Sequence, residues 1–273
     1  MSYVLESKSE FDRLEHQSGL SGYDYQRELA LAGLSSLQEG MRLLDAGCGS
    51  GVLARHLAHK HSGCAVVGCD ISETRVRQAR DAARDLPNLH FELGDLTRLD
   101  YPEGHFDVII CRYVLQHLPQ EIRPAALASI LRCLKPGGRL IAIDFDGGFL
   151  NLHPQPSSWL QEALRSLETR FPVDLRIGRK LPHLLVLAGF SEISWRIDVL
   201  EWRDELLAQE RMLMDERILA LEPVLAAVLG GTPEAQRFRT EYLAALDTPG
   251  SVLFYNKFIV TGRKPSRQGF GIP

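Results

Sequence analysis

At 273 residues, 45% hydrophobic and 24% charged, the chain is long enough for one α/β domain with an addition, or for two small domains, and apolar enough to build a core without disulfides. A formal net charge of −4 gives no general attraction to a phosphate backbone, so no nucleic-acid partner is expected. No run approaches the roughly 18 apolar residues of a membrane span, the charged start over Met1–Arg13 lacks the apolar stretch of a signal peptide, and five cysteines without framework or metal spacing read as reduced thiols of a cytoplasmic protein.

Residues 20–37 carry Tyr25, Leu29, Leu31, Leu34 and Leu37 at mixed three- and four-residue steps, which predicts helices. Leu43-Leu44 then forms an apolar run that ends in Asp45 and Gly47-Cys48-Gly49-Ser50-Gly51, followed by a helix over about Val52 to His61. This is a strand, a tight turn and a helix. Glycine tolerates φ > 0 and has no side chain to block a ligand's approach to the backbone. The G-x-G-x-G spacing is neither the dinucleotide G-x-G-x-x-G nor a P-loop, which needs G-K-[S/T]. Asp45, just before the glycines, reads as turn-stabilising.

A second apolar run, Ala65 to Cys69, ends in Asp70, a carboxylate placed to accept both hydroxyls of a ribose. A helix follows over about Glu73 to Asp85, with Ser72 as N-cap and Pro87 as stop. The third run, Leu89 to Leu93, ends in Gly94-Asp95-Leu96. An acid there suits an adenine amino group, with Leu96 packing on the ring. The fourth, Phe106 to Cys111, leads into Arg112-Tyr113-Val114-Leu115-Gln116-His117, and Asp107 at its start reads as structural. A helix over about Arg123 to Cys133 and a Lys135-Pro136-Gly137-Gly138 turn precede a fifth strand, Arg139 to Phe145.

This ordered set resembles the class I S-adenosylmethionine (SAM)-dependent methyltransferases, and within them the group acting on small molecules. The resemblance covers roughly Met41 to Phe145, with weaker echoes at Phe190–Leu200 and Val252–Arg263. It implies an α/β fold with a doubly wound, seven-stranded, mostly parallel Rossmann-like sheet, SAM as cofactor and S-adenosylhomocysteine as product. By the same resemblance Gly47, Cys48 and Gly49 pass near the methionine part of SAM. Asp70 holds the ribose with Ile71 beside the adenine, and Asp95 and Leu96 read the adenine. Cys111 and Arg112 supply backbone contacts, with Gln116 nearby. Residues 1–40 fold over the site as a lid, in which Tyr23 or Tyr25 stacks on the sulfonium and Arg27 pairs the SAM carboxylate. His117 falls near the transferred methyl and is the candidate general base, with a structural role at the start of a helix as its competing reading.

Beyond Asn151 a Pro154, Pro156, Ser157-Ser158 linker precedes a helix over about Trp159 to Arg170, and Arg176 to Gly189 reads as a helix before the sixth strand, Phe190 to Leu200. Asp144 and Asp146 end the fifth strand, where either can face substrate. The departure from the family pattern is the stretch of about fifty residues between the sixth strand and the seventh, Ser251 to Thr261. Leu207, Met214, Ile218, Leu221, Leu225 and Val228 make a helical stripe broken at Pro223, and Thr232-Pro233-Glu234 starts another helix through about Leu246. The organisation expected is therefore a lid over 1–40, a SAM-binding domain over 41–200 and 251–265, a helical insert over 201–250 and a disordered tail. The insert's stripe must bury against the rim of the site as a cap, offering Met212, Met214 and Leu221, or against a second subunit in a homodimer.

The reaction implied is direct in-line methyl transfer from SAM to an O, N or C nucleophile of a small organic molecule, a metabolite, with the cofactor's sulfonium carrying its own activation. No H-E-x-x-H and no Cys/His cluster suggests a metal, so metal independence is expected. Three rival readings stand beside it. A nicotinamide-dependent oxidoreductase is disfavoured by the G-x-G-x-G spacing and by Asp95. A non-catalytic SAM-binding protein is the second. A protein or nucleic-acid methyltransferase is the third, although amino-directed DNA enzymes carry Asp/Asn-Pro-Pro-aromatic where this chain has Cys111-Arg112-Tyr113-Val114.

Overall fold

In the computed structural model the described residues are 24–34, 37–202 and 204–266. Tyr23, the rest of the lid segment before it and the tail after 266 lie outside them. The chain divides into two compact units, 1–144 with 180–196 and 258–273, and 145–179 with 197–257.

The first unit is built on parallel strands. Strand β1 (Arg42–Ala46) lies between β2 (Ala65–Asp70) and β4 (Phe106–Arg112), with Leu44 opposite Val67 on one side and Ile109 on the other. Strand β3 (Leu89–Leu93) continues outward from β2, and β5 (Leu134–Asp146) from β4, all in parallel. The order β3-β2-β1-β4-β5 reverses direction between β1 and β4. Ligands bind outside the carboxyl ends of strands at such a reversal, so the tips of β1 and β4 frame the candidate site. Beyond β5 lies β8 (Val252–Arg263), which pairs with β7 (Ser191–Trp202).

Leu43, Leu44, Ile109, Ile110, Leu140 and Ile141 are fully buried, as parallel strands covered on both faces require. Helix α1 (Tyr25–Leu31) is capped by Asp24, whose Oδ1 accepts the Gln26 and Arg27 amides at 2.9 and 3.1 Å. Its Leu29 joins Leu53 and Leu57 of α2 (Val52–Lys60) in the core of this unit. Helix α3 (Glu73–Asp81) starts at the expected N-cap, Ser72, whose Oγ accepts the Arg75 amide at 3.3 Å. Helix α4 (Arg123–Cys133) buries Ala126, Leu127, Ile130 and Cys133 at helical spacing. Strand β5 begins at Leu134 rather than Arg139, because the Lys-Pro-Gly-Gly turn is absorbed as a register shift against β4.

The second unit holds β6 (Leu152–His153), α5 (Ser158–Arg170), α7 (Asp204–Ala220), α8 (Glu222–Leu229) and α9 (Thr232–Leu246), while α6 (Ile177–Leu187) crosses the unit boundary. The helix break lies at Pro223, which is tolerated because it falls in the first turn of α8. This unit takes in 145–179 beside the 201–250 segment, since its core joins Phe149, Leu160 and Leu167 to Met214, Ile218, Leu225, Phe238 and Tyr242. Tyr242 donates its hydroxyl to the Phe149 carbonyl at 3.2 Å. The sheet carries eight strands where seven are expected. The additional one is β6, antiparallel to β8 through Leu152 and His153, and two residues are too few to show a period-2 pattern. No described helix is long and apolar enough to cross a membrane.

Candidate active site

The turn after β1 needs its glycines for two reasons. Gly47, Gly49 and Gly51 all have left-handed φ values of 79, 54 and 77°. A Cβ on Gly47 would stand 2.4 Å from Val114 in the segment leaving β4, and one on Gly51 would stand 2.5 Å from Phe91 of β3. The turn is thus wedged between the outgoing ends of its neighbours.

Four of its amides bond inside the protein. The Gly47 and Cys48 amides donate to the Cys69 carbonyl at 2.7 and 3.0 Å, and the Gly51 amide donates to the Cys48 carbonyl at 2.8 Å. The Gly49 amide donates to Asp70 Oδ2 at 2.8 Å. A phosphate-binding loop points several free N–H groups at its ligand. Here the turn presents bare backbone beside carboxylates, a surface suited to positive charge.

Asp70, at the tip of β2, is 4% exposed. Its Oδ1 accepts the Ser72 amide at 3.0 Å. Each oxygen thus takes one backbone bond and keeps acceptor capacity, so the carboxylate is held in one orientation while able to accept hydroxyls. Ile71, beside it, keeps 45% of its surface exposed. Asp95 caps a short 3₁₀ turn, its Oδ1 accepting both the amide and the hydroxyl of Thr97 at 2.8 Å. Leu96 is buried in that turn rather than displayed.

At the tip of β4, Cys111 is buried and Arg112 points its side chain inward. Arg112 Nε donates to Glu28 Oε2 at 2.6 Å and Nη2 to Oε1 at 3.2 Å. The Tyr113 hydroxyl donates to the same Oε1 at 3.0 Å, and its ring lies under the guanidinium at 4.3 Å. Tyr113 has φ 58°, left-handed for a bulky residue. The Gln116 amide donates to Asp144 Oδ2 at 3.2 Å, and Gln116 Nε2 lies 3.3 Å from His117 Nε2. Asp146 is taken instead by Arg179, at 2.6 Å to each of its oxygens, inside the second unit.

Asp45 is 3% exposed, and its Oδ2 has no hydrogen-bond partner. Burial pushes its carboxyl up to about 7, against Arg112 and the Ala54 amide, which pull it down. Burial and the charges of Asp45 and Asp70 hold the Cys48 thiol well above its usual range.

The lid residues fare differently. Tyr23 lies outside the described residues. Tyr25 rests on the His56 ring at 4.5 Å between centroids, and Arg27 is exposed. Glu28, missed in the sequence, is the charged residue that α1 buries. It stands with Tyr25, Leu29 and Ala32 on one i, i+3, i+4, i+7 stripe, and an acid in an apolar stripe is the signal that could have found it. In the second unit Met214 is fully buried in the core, so it offers nothing to a ligand, while Met212 is 66% exposed. Among the described residues no group of three or more His, Cys, Asp or Glu is arranged to hold a metal.

A family model described as a methyltransferase domain matches residues 43–138, which runs from β1 through the start of β5. Residues 43–138 carry the methyltransferase domain of the class I SAM-dependent methyltransferases. The 27-O-demethylrifamycin SV methyltransferase of Amycolatopsis mediterranei is 41% identical over 121 residues, 42% of this chain and 42% of that protein. The ubiquinone/menaquinone biosynthesis C-methyltransferase of Pseudomonas fluorescens is 34% identical over 116 residues, 41% of this chain and 44% of that protein. The chain spans about half the length of the curated relatives it matches, 52% of the first and 42% of the second. A solved Haemonchus contortus phosphoethanolamine N-methyltransferase 2, in complex with phosphomonomethylethanolamine and S-adenosylhomocysteine, shares the fold at a TM-score of 0.59 and 20% identity, over 94% of this chain and 57% of that one.

The residues present fit SAM. The cofactor brings a sulfonium and an ammonium, and the turn that would receive them is lined by Asp45 and Asp70. The unpartnered Oδ2 of Asp45 is the buried acceptor that such a cation would satisfy.

Proposed function

We propose that this methyltransferase transfers the methyl group of SAM to an O, N or C nucleophile of a small organic molecule, without a metal and in the cytoplasm. The observation that carries the reading is the Asp70 carboxylate, fixed by the Gly49 and Ser72 amides at the tip of β2 beside the glycine turn. That arrangement suits a ribose and a cation together.

SAM supplies an activated methyl on sulfur, so the protein's task is alignment and exclusion of water. Asp70 binds the ribose, and Ile71, Asp95 and Leu96 bound the adenine. The backbone of Gly47, Cys48 and Gly49 passes the methionine end. Cys111, Arg112 and Gln116 close the side formed by β4, and Tyr23 and Arg27 belong to the lid. His117 takes the proton from a hydroxyl or amine acceptor, a contribution of about 100- to 10,000-fold. The small-molecule class is supported by the net charge of −4 and by relatives named for a rifamycin precursor and for quinone biosynthesis.

The test is titration of the purified chain with SAM and with NADH, followed by measurement of S-adenosylhomocysteine released in the presence of an acceptor panel. SAM binding with acceptor-dependent product supports the reading. SAM binding without turnover on any acceptor favours a non-catalytic SAM-binding protein, and NADH binding in place of SAM overturns both.

A further inference from the structure

Asp45 is the buried acid of the cofactor turn whose proton the methyl transfer itself does not use. It sits at the end of β1, one residue before the glycine turn, and its Oδ2 meets no donor. The groups facing it are Arg112 and Cys111 from β4, Asp70 and Cys69 from β2, Cys48 from the turn, and the Ala54 amide from α2. Asp144 of β5 stands on the far side of Cys111. Arg112 is the cation acting on Asp45, and it already gives Nε and Nη2 to Glu28 of α1. Glu28, Asp45 and Asp70 are 0, 3 and 4% exposed, so two buried carboxylates act on that guanidinium and a third, Asp70, adds its like charge beside Asp45. Buried negative charge in such excess is costly unless a proton or a cation offsets it.

We propose that Asp45 is a proton-exchange group of the cofactor site: it holds a proton in the free protein and releases it to solvent when the positively charged methionine end of SAM arrives. The O–H bond of the Asp45 carboxyl breaks, the proton passes to the buffer, and the carboxylate left behind pairs with the cofactor's positive charge. The inference rests on SAM being the ligand of this site. Burial pushes the Asp45 carboxyl up to about 7, so near neutrality the proton is present to be released. The thiols beside it do not compete, since burial pushes Cys69 up to about 12 and lifts Cys48 and Cys111 well above their usual range. A local positive charge favours the ionised carboxylate, so arrival of the cofactor lowers the affinity of Asp45 for its proton.

The experiment is calorimetric titration of the full chain with SAM at pH 6.5 in two buffers of different ionisation enthalpy. At that pH the cofactor's amino group, of ordinary α-amino pKa about 7.7–8, is already charged and contributes little. The expected result is release of roughly 0.7 of a proton per SAM, and an affinity roughly eightfold weaker at pH 6 than at pH 7.5. Asp45→Asn is expected to bind SAM with the release abolished and the affinity flat over that range. Equal heats in both buffers for the unaltered protein overturn the inference without recourse to any variant. The same release from a folded Asp45→Asn protein also overturns it. Absence of any SAM binding by the unaltered protein overturns the methyl-donor reading, and this inference with it.

Discussion

Glu28 grips Arg112 at two points, Oε2 to Nε at 2.6 Å and Oε1 to Nη2 at 3.2 Å, and so ties helix α1 to the tip of β4 across 84 residues of sequence. Glu28 is fully buried and the Arg112 side chain is 17% exposed. Removing one member of such a pair strands the other, which costs about 3–5 kcal/mol. Glu28→Ala is expected to lose stability of that order in urea unfolding, and Glu28→Gln less, because the Tyr113 hydroxyl keeps an oxygen partner. A stability loss under 1 kcal/mol for Glu28→Ala would show that the pair does not hold α1.

Asp70 holds two backbone donors, the Gly49 and Ser72 amides, and the ribose is its proposed third partner. Asp70→Ala is expected to weaken SAM binding tenfold or more, from loss of charge-assisted bonds worth about 1.5–3 kcal/mol each. It also strips the Gly49 and Ser72 amides of their acceptor, so a fall in stability of about 1–3 kcal/mol accompanies it. Asp70→Asn keeps an oxygen acceptor and separates the two effects: its unfolding midpoint should lie nearer the original while SAM affinity stays low. Calorimetry and thermal melts on the two variants check this, and unchanged SAM affinity in folded Asp70→Ala would sink the ribose assignment.

Asp45 fixes the sign of a pH effect on the free protein. Its carboxyl is raised from 3.8 to about 7 in the fold. Below pH 4 both folded and unfolded chains hold the proton, so Asp45 costs nothing. As pH rises from 4 toward 7 the unfolded chain gives up its proton and the fold does not, and stability is lost until the folded carboxyl also ionises. The full cost is at most about 4 kcal/mol, from three pK units at 1.36 kcal/mol each. Asp45→Asn is therefore expected to match the original protein near pH 4 and to exceed it at pH 8. Denaturant melts at the two pH values measure the difference, and an Asn variant less stable at pH 8 than at pH 4, relative to the original, contradicts the sign.

In the second unit, Phe238 and Tyr242 of α9 pack edge-on to Phe149, at 6.2 and 5.9 Å between ring centroids. Phe238→Ala is expected to cost about 3–5 kcal/mol of that unit's stability. A unit whose core is its own should melt without taking the cofactor site with it. SAM affinity of the variant at low temperature should stay within about twofold, and hydrogen exchange should report the loss of protection within 145–179 and 197–257. Loss of SAM binding at a temperature where residues 42–144 remain protected would show that SAM binding depends on the second unit.

Much of the cofactor half was written in local sequence. The run Leu43 to Gly51 specifies strand, turn and helix by itself, because apolar residues must bury and glycine alone tolerates φ near 79° at a point where a Cβ would strike Val114. The N-cap at Ser72, the break at Pro223 and the start of α9 at Thr232 were legible for the same reason: each is a backbone requirement met by one residue type. Strand β6 left no such trace, since its two residues find their partners in β8, about a hundred residues on. The charges were equally opaque. Sequence set Asp45, Asp70, Arg112 and Glu28 on separate elements, with Arg27 the more obvious cation of the lid. Only the packing of α1 against the sheet put Glu28 on Arg112, left Asp45 Oδ2 without a donor and drew Met214 into a core. The energy of a charge depends on the dielectric around it and on partners brought together by the fold, and neither is a property of the residues next to it in the chain.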